Sequence, residues 1–122
     1  MNHNESVEDY LETILILSEE KPVVRSVDIA NETGFSKPSI SIAVKNMKAK
    51  NYITVSDEGY ITLSESGRDI AERVYERHKF FRKWLISLGV DKETANDDAC
   101  RIEHVITKES FEAIRNSVEK RG

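Results

Sequence analysis

Between Ser26 and Leu63 the chain reads "SVDIANETGFSKPSISIAVKNMKAKNYITVSDEGYITL": two short apolar-periodic segments parted by a glycine, then two strand-like runs parted by another. Few folds accept that order. Val27, Ile29 and Ala30 predict a short buried helix stopped by Gly34. Ser36 can cap a second helix, Pro38 is tolerated in its first turn, and Ile40, Val44 and Met47 form its inward stripe as far as about Lys50. "YITV" and "YITL" are β-branched, aromatic runs flanking Ser56-Asp57-Glu58-Gly59, the pattern of a β-hairpin. Two helices across a tight turn, followed by a hairpin, predict a winged helix-turn-helix.

The flanking segments read as helix. Val7, Leu11 and Ile14, widened by Tyr10 and Leu17, predict a first helix over 7–20 that Lys21-Pro22 ends. Beyond the hairpin, Ile70, Val74, Phe81, Leu85 and Leu88 mark one long helix ending at Gly89. Asp91 caps a fifth helix, roughly 92–105, with Ala95, Ala99, Ile102 and Val105 or Ile106 inward, and Thr107 caps a sixth with Phe111, Ile114 and Val118. The expected fold is mostly α with a small β-hairpin wing: a winged helix-turn-helix over 1–71 and a helical domain over 72–122. At 122 residues with 39% apolar content, a modest core is within reach and a large enzyme with its own deep cleft is not. No run of eighteen apolar residues occurs and "MNHNESVEDY" lacks the regions of a signal peptide, so a cytoplasmic protein without a membrane partner is expected.

A net charge of −4 argues against nucleic acid only if charge is evenly spread. It is not. From Thr33 to Ser56 there is no acidic residue, while Lys37, Lys45, Lys48 and Lys50 are all present. With Ile40, Val44 and Met47 inward, the other face of that helix presents Pro38, Ile42 and Lys45 flanked by Ser39, Ser41 and Lys48. An outward Ile42 among hydroxyls and lysines suits a major groove, where apolar groups touch thymine methyls, serines read base edges or phosphates, and lysines hold the backbone. Free N–H groups near Ser36 and Lys37 add phosphate-binding potential, and Arg25 and Ser26 can reach the neighbouring strand. The competing reading is that these lysines serve only solubility.

Cys100, Glu103 and His104 stand at i, i+3 and i+4 in "ACRIEHV" and so share one helical face. All three donate to first-row divalent metals: carboxylate suits manganese and iron, imidazole most of the series, thiolate the softer ions. Alone, the triplet is a weak signal, and a buried cysteine beside a surface Glu and His is the favoured reading of it. His78, four residues after Val74 and three before Phe81, points into the apolar stripe of the long helix, as a core histidine or a ligand would. Asp9 and Glu12 form an i, i+3 carboxylate pair on the first helix, ordinarily solvated charge.

Four segments, "SVEDYLETI", "VRSVDIANETGFSKPSIS", "GYITLSESGRDIAERVYERH" and "DACRIEHVI", occur in that order, and from about Ser6 to Phe111 the chain resembles the diphtheria-toxin-repressor and manganese-transport-regulator family of metal-dependent transcriptional repressors. The resemblance implies a winged helix-turn-helix followed by a helical metal-binding and dimerisation domain. It implies binding of double-stranded DNA at a palindromic operator by a homodimer when Fe²⁺ or Mn²⁺ is present, with Co²⁺, Zn²⁺ or Ni²⁺ as substitutes in vitro. Carried over by position, the family's ligands fall on Asp9, Glu12, His78, Cys100, Glu103 and His104. The manganese regulators are similar at Asp9 and Glu12 but tend to carry a carboxylate in place of Cys100; the iron regulators share the cysteine but have a methionine near Asp9. Arg82 stands where the family often has an acidic ancillary ligand, and the SH3-like third domain of longer members is not expected.

One ion held by both halves of that set would link the DNA-binding and dimerising domains, so metal and operator would strengthen each other's binding. Phe80, Trp84, Phe111 and Ile114 are the candidate dimer contact, with an ordinary core as the alternative. A metalloenzyme is disfavoured, because no His-Glu-x-x-His motif and no second acid/base pair occurs, and no small organic substrate is expected. A winged-helix regulator that ignores metal and answers to an organic ligand or partner is the main rival. A redox sensor built on Cys100 needs an electropositive thiol, and Glu103 argues against it.

Overall fold

The computed structural model describes residues 6–121 as six helices and one two-stranded sheet: α1 (Val7–Glu20), α2 (Ser26–Thr33), α3 (Lys37–Ala49), β1 (Ile53–Val55), β2 (Ile61–Leu63), α4 (Glu65–Ser87), α5 (Lys92–Val105) and α6 (Lys108–Arg121). Two compact units divide at Arg73 and Val74, within α4.

In the first unit, α2 packs on α3 and α1, α3 on β1, and α1 on β2. Its core is Leu11, Ile14, Ile29, Ile40, Met47, Ile53 and Ile61, the residues that helical and alternating spacing place inward. Local chemistry sets the breaks. Ser6 Oγ accepts from the Asp9 N–H to start α1, and Ser36 Oγ accepts from the Ser39 N–H to start α3. Gly34 ends α2 at φ 77°, a left-handed conformation that a side chain resists, and its N–H reaches the Ala30 carbonyl at 2.8 Å. The first helical residue of α2 is Ser26, and its N-cap is Arg25, whose N–H donates to Asp28 Oδ2 at 2.8 Å. Val27, expected inward, is exposed, because an eight-residue helix turns only Ile29 fully into the core.

The wing is antiparallel, with Ile53 opposite Leu63 and Val55 opposite Ile61. Gly59 closes its turn at φ 83°. Val24 extends the sheet by one bond, its carbonyl accepting from the Ile61 N–H at 2.7 Å. The base of the wing is tied to α4: Ser64 Oγ accepts from the Gly67 N–H at 3.1 Å and donates to the Asn51 carbonyl at 2.6 Å, while the Tyr52 carbonyl accepts from the Ser64 N–H at 2.9 Å.

In the second unit, Phe81, Ala99 and Phe111 form a buried centre with Phe80, Trp84, Ile102, Ile106 and Ile114 packed around it. Asp91 caps α5: Oδ1 accepts from the Thr94 N–H and Oδ2 from its hydroxyl, which together hold the Asp91 carboxyl below the usual carboxylate range. Ile106 turns inward and Val105 is exposed, which settles the last position of the α5 stripe. Leu88, expected inward, is 64% exposed beyond the end of α4. Among the described residues no helix is long and apolar enough to cross a membrane.

Candidate metal centre and nucleic-acid interface

The face of α3 turned away from Ile40 and Met47 carries the residues expected at DNA. Lys37, Pro38, Ser41, Ile42, Lys45 and Lys48 are exposed, as are Arg25, Ser26 and Ser36 around it; Ser39 is half-buried. Ile42 is 62% exposed among these hydroxyls and lysines, the apolar member of the outer face. Ser26, Ser41, Lys45 and Lys48 line one hollow of about 260 Å³ together with Val44 and Val55 of the wing. The start of α2, the outer face of α3 and the wing thus meet at one surface.

Arg25 is held from the wing side. Its Nη2 donates to Tyr60 Oη at 3.1 Å, and the guanidinium lies 4.8 Å from the centre of that ring. Tyr60 and Val55 belong to this surface although sequence reasoning did not single them out; their positions flanking the hairpin turn were the available signal.

Within the second unit, α5 presents Cys100, Glu103 and His104 and α4 presents His78. Glu103 is 0% exposed. Its Oε2 is 3.0 Å from His78 Nδ1, and its Oε1 is 3.2 Å from His104 Nε2. Cys100 Sγ, also buried, is 3.6 Å from the same Nδ1 of His78. His78, Cys100 and Glu103 can each offer one donor atom within 4.8 Å of the others. Burying a carboxylate costs several kcal/mol, of order, unless opposite charge or hydrogen bonds compensate it. The imidazoles of His78 and His104 stand beside it, and a divalent cation among these donors would supply the opposite charge. A buried set of carboxylate, imidazole and thiol donors fits a first-row divalent ion, and the residues present therefore suit a metal. Arg82, one turn beyond His78, brings only hydrogen-bond donors and cannot ligate.

Asp9 and Glu12 lie in the first unit on α1, 1% and 0% exposed. Neither is the solvated charge that an i, i+3 pair on an outer helix usually is. Phe111, expected at a dimer contact, is in the core of the second unit, since α6 lays it against Phe80 and Phe81 at 5.5 and 5.7 Å between ring centres. Phe80, Trp84 and Ile114 are half-buried around it.

A winged helix-turn-helix with a lysine- and serine-lined outer helix, joined to a helical unit holding a buried oxygen, nitrogen and sulfur donor cluster, defines a metal-binding DNA regulator. The comparisons place it more narrowly. The family model described as "Iron dependent repressor, N-terminal DNA binding domain" matches residues 3–61, and the model "Iron dependent repressor, metal binding and dimerisation domain" matches residues 64–121. The transcriptional regulator MntR of Escherichia coli is 31% identical over 121 residues, covering 99% of this chain and 78% of that one. The HTH-type transcriptional regulator MntR of Bacillus subtilis is 31% identical over 114 residues, covering 93% and 80%.

Among solved structures, the manganese regulator SloR superposes with a TM-score of 0.83 at 23% identity, over 98% of this chain and 55% of that one. A manganese-dependent transcriptional repressor in complex with manganese has a TM-score of 0.83 at 24% identity, over 93% and 53%. The chain spans about half the length of these solved chains, and the likeness to them is one of fold. The chain belongs to the iron dependent repressor family of metal-responsive transcriptional repressors. The family's members are regulators, not enzymes. Its partners are DNA and a second copy of itself, and its cofactor is a divalent metal.

Proposed function

We propose that this chain is a repressor controlling manganese or iron homeostasis, which as a homodimer binds a palindromic operator when Mn²⁺ or Fe²⁺ occupies its metal centre. The observation that carries the reading is the buried Glu103 carboxylate between the imidazoles of His78 and His104, with the Cys100 thiol beside it. The proposed ligands are Asp9, Glu12, His78, Cys100, Glu103 and His104. Bound there, the metal would supply positive charge to carboxylates that are otherwise expensive to bury.

The chain's own residues do the rest. His78 and His104 face the two oxygens of Glu103, so imidazole nitrogens and carboxylate oxygens converge at one place where an ion would be held. The reading requires Asp9 and Glu12 to act on the same ion, which would make the order of the DNA-binding unit depend on metal. Cys100 sets the preference: a thiolate favours the later, softer members of the series over Mn²⁺. At the operator, Ser39, Ser41 and Ile42 are proposed to meet base edges. Arg25, Ser26, Ser36, Lys37, Pro38, Lys45 and Lys48 are proposed to meet or frame the backbone.

The test is an anaerobic anisotropy titration of labelled operator DNA with Mn²⁺, Fe²⁺, Co²⁺ and Zn²⁺, repeated with Cys100→Glu. Wild type should bind DNA only with metal, and Cys100→Glu should move the ranking toward Mn²⁺. DNA binding indifferent to chelator would overturn the reading in favour of a metal-independent regulator, and an unchanged ranking would remove Cys100 from the ligands.

A second expectation concerns Lys45. If it contacts one phosphate, Lys45→Ala lowers the slope of log affinity against log salt by about one per protomer and weakens operator and random DNA alike. A salt series in which the slope is unchanged would return Lys45 to the solvated surface.

A further inference from the structure

Three consecutive residues of α4 reach different partners. Glu76 pairs with Arg115 of α6, His78 meets Glu103, and Arg77 turns to the C-terminal end of α5. Arg77 Nη1 donates to the Ile106 carbonyl at 3.0 Å and to the Glu103 carbonyl at 3.4 Å. Its guanidinium lies 5.5 Å from the centre of the Phe111 ring, which fixes its approach from the α6 side. The last carbonyls of a helix have no partner within it and carry partial negative charge. In α5 that end is also the turn bearing Glu103 and His104.

From this we infer that Arg77 is a positioning residue of the metal centre: it pins the backbone of Glu103, whose side chain is a ligand, and of Ile106 just beyond, and so holds the last turn of α5 in register with His78. The inference rests on the proposed metal reading and adds to it a residue that contributes no donor atom. Two features set Arg77 apart from a surface cation. It bonds to the main chain of a ligand residue, and its charge lies beside carbonyls that would otherwise add to the negative potential around Glu103. Both bonds leave one nitrogen, Nη1, whose two hydrogens lie in the guanidinium plane, so the rigid group fixes both directions, whereas a lysine ammonium turns freely on its stem. Removing it leaves those carbonyls without their donor and lets the turn fray.

The test compares wild type with Arg77→Met, Arg77→Lys, Glu76→Gln and Glu103→Gln. Mn²⁺ affinity is measured by competition with a chromophoric chelator, Co²⁺ coordination by its ligand-field absorption, and amide hydrogen exchange at Val105 and Ile106 in the metal-free chain. Arg77→Met should weaken Mn²⁺ binding roughly 10- to 100-fold, the range for residues that orient ligands, and alter the Co²⁺ spectrum. It should also speed exchange at Val105 and Ile106. Arg77→Lys should recover part of the affinity, and Glu76→Gln, which cuts only the tie to α6, should match wild type.

Wild-type affinity and exchange in Arg77→Met would overturn the inference, as would an equal loss in Glu76→Gln, which would mark general loosening of the unit. If Arg77→Met does not fold, Arg77→Lys decides: severalfold weaker Mn²⁺ binding supports the role and wild-type affinity overturns it. Failure of the underlying site has a different signature, in which wild type binds neither ion or Glu103→Gln binds both normally, and the inference falls with it.

Discussion

Glu103→Gln is expected to weaken metal binding by more than about 100-fold, because even residues that only orient ligands are worth about 10- to 100-fold and Glu103 is proposed to touch the ion itself. The metal-free chain should melt close to wild type. Glutamine keeps an acceptor for one imidazole, and burying an amide costs less than burying a carboxylate. The contrast therefore lies in the response to metal. At free Mn²⁺ about 100 times its Kd, wild type gains about 2.7 kcal/mol, equivalent to roughly 10 °C for a chain of this size. Glu103→Gln should gain less than about 0.4 kcal/mol at the same concentration. Calorimetry with and without Mn²⁺ measures this directly, and an equal rise in both proteins would end the assignment of Glu103. Glu12→Gln is the useful companion: it leaves the His78, Cys100, Glu103 and His104 donors intact, so some metal binding should persist while DNA affinity stops responding to it.

Gly67→Ala should be the most damaging single methyl in the first unit. A Cβ at Gly67 would run into the Tyr52 carbonyl, with its carbon at 2.9 Å, and Tyr52 is main chain that cannot swing aside. Gly67 is the third residue of α4, where alanine alone would favour the helix by about 1 kcal/mol. The clash reverses that sign. Overpacking of a well-filled site costs about 1–3 kcal/mol when side chains can yield, and a backbone obstacle places this case above about 3 kcal/mol. The Tyr52 and Asn51 carbonyls also hold Ser64, so the variant should disturb the wing as well as lower the urea midpoint. A midpoint at or above wild type would show that the base of the wing yields easily.

These two residues differ in how far the chain's own letters reveal them. Glu103 stands in a string whose helical spacing already groups it with Cys100 and His104, because neighbours at i+3 and i+4 on a helix are set by local geometry. The same locality made the helices and the hairpin legible: caps at Ser36 and Asp91, the stop at Gly34 and the turn at Gly59 each act within a few residues. Gly67 has no such signal. Nothing near it calls for a glycine, since its φ is not positive and helix propensity argues for alanine. The requirement comes from Tyr52, fifteen positions away, brought against it by the hairpin.

Burial divides along the same line. Val27 and Leu88 satisfy an apolar stripe and yet are exposed, whereas Asp9 and Glu12 look like outer charge and are buried. Periodicity assigns residues to a face, but which face is covered depends on what packs there. Phe111 illustrates the ambiguity, since an aromatic on a stripe can serve a core or a partner, and the packing against Phe80 and Phe81 decides for the core. Arg77 is the sharpest example, as one of several cations on α4 and bonded to main-chain carbonyls that only the end of α5 brings to it.

By itself, then, the sequence determined the element order, the helix-turn-helix with its wing, the basic outer face of α3 and the donors of α5, all products of interactions spanning a few residues. Only the tertiary structure decided that His78 meets Glu103, that Asp9 and Glu12 are buried, that Arg77 reaches the Glu103 and Ile106 carbonyls and that Gly67 must remain bare. Each of those depends on segments far apart in the chain, and the spacing of residues along one element carries no record of what another element brings against it.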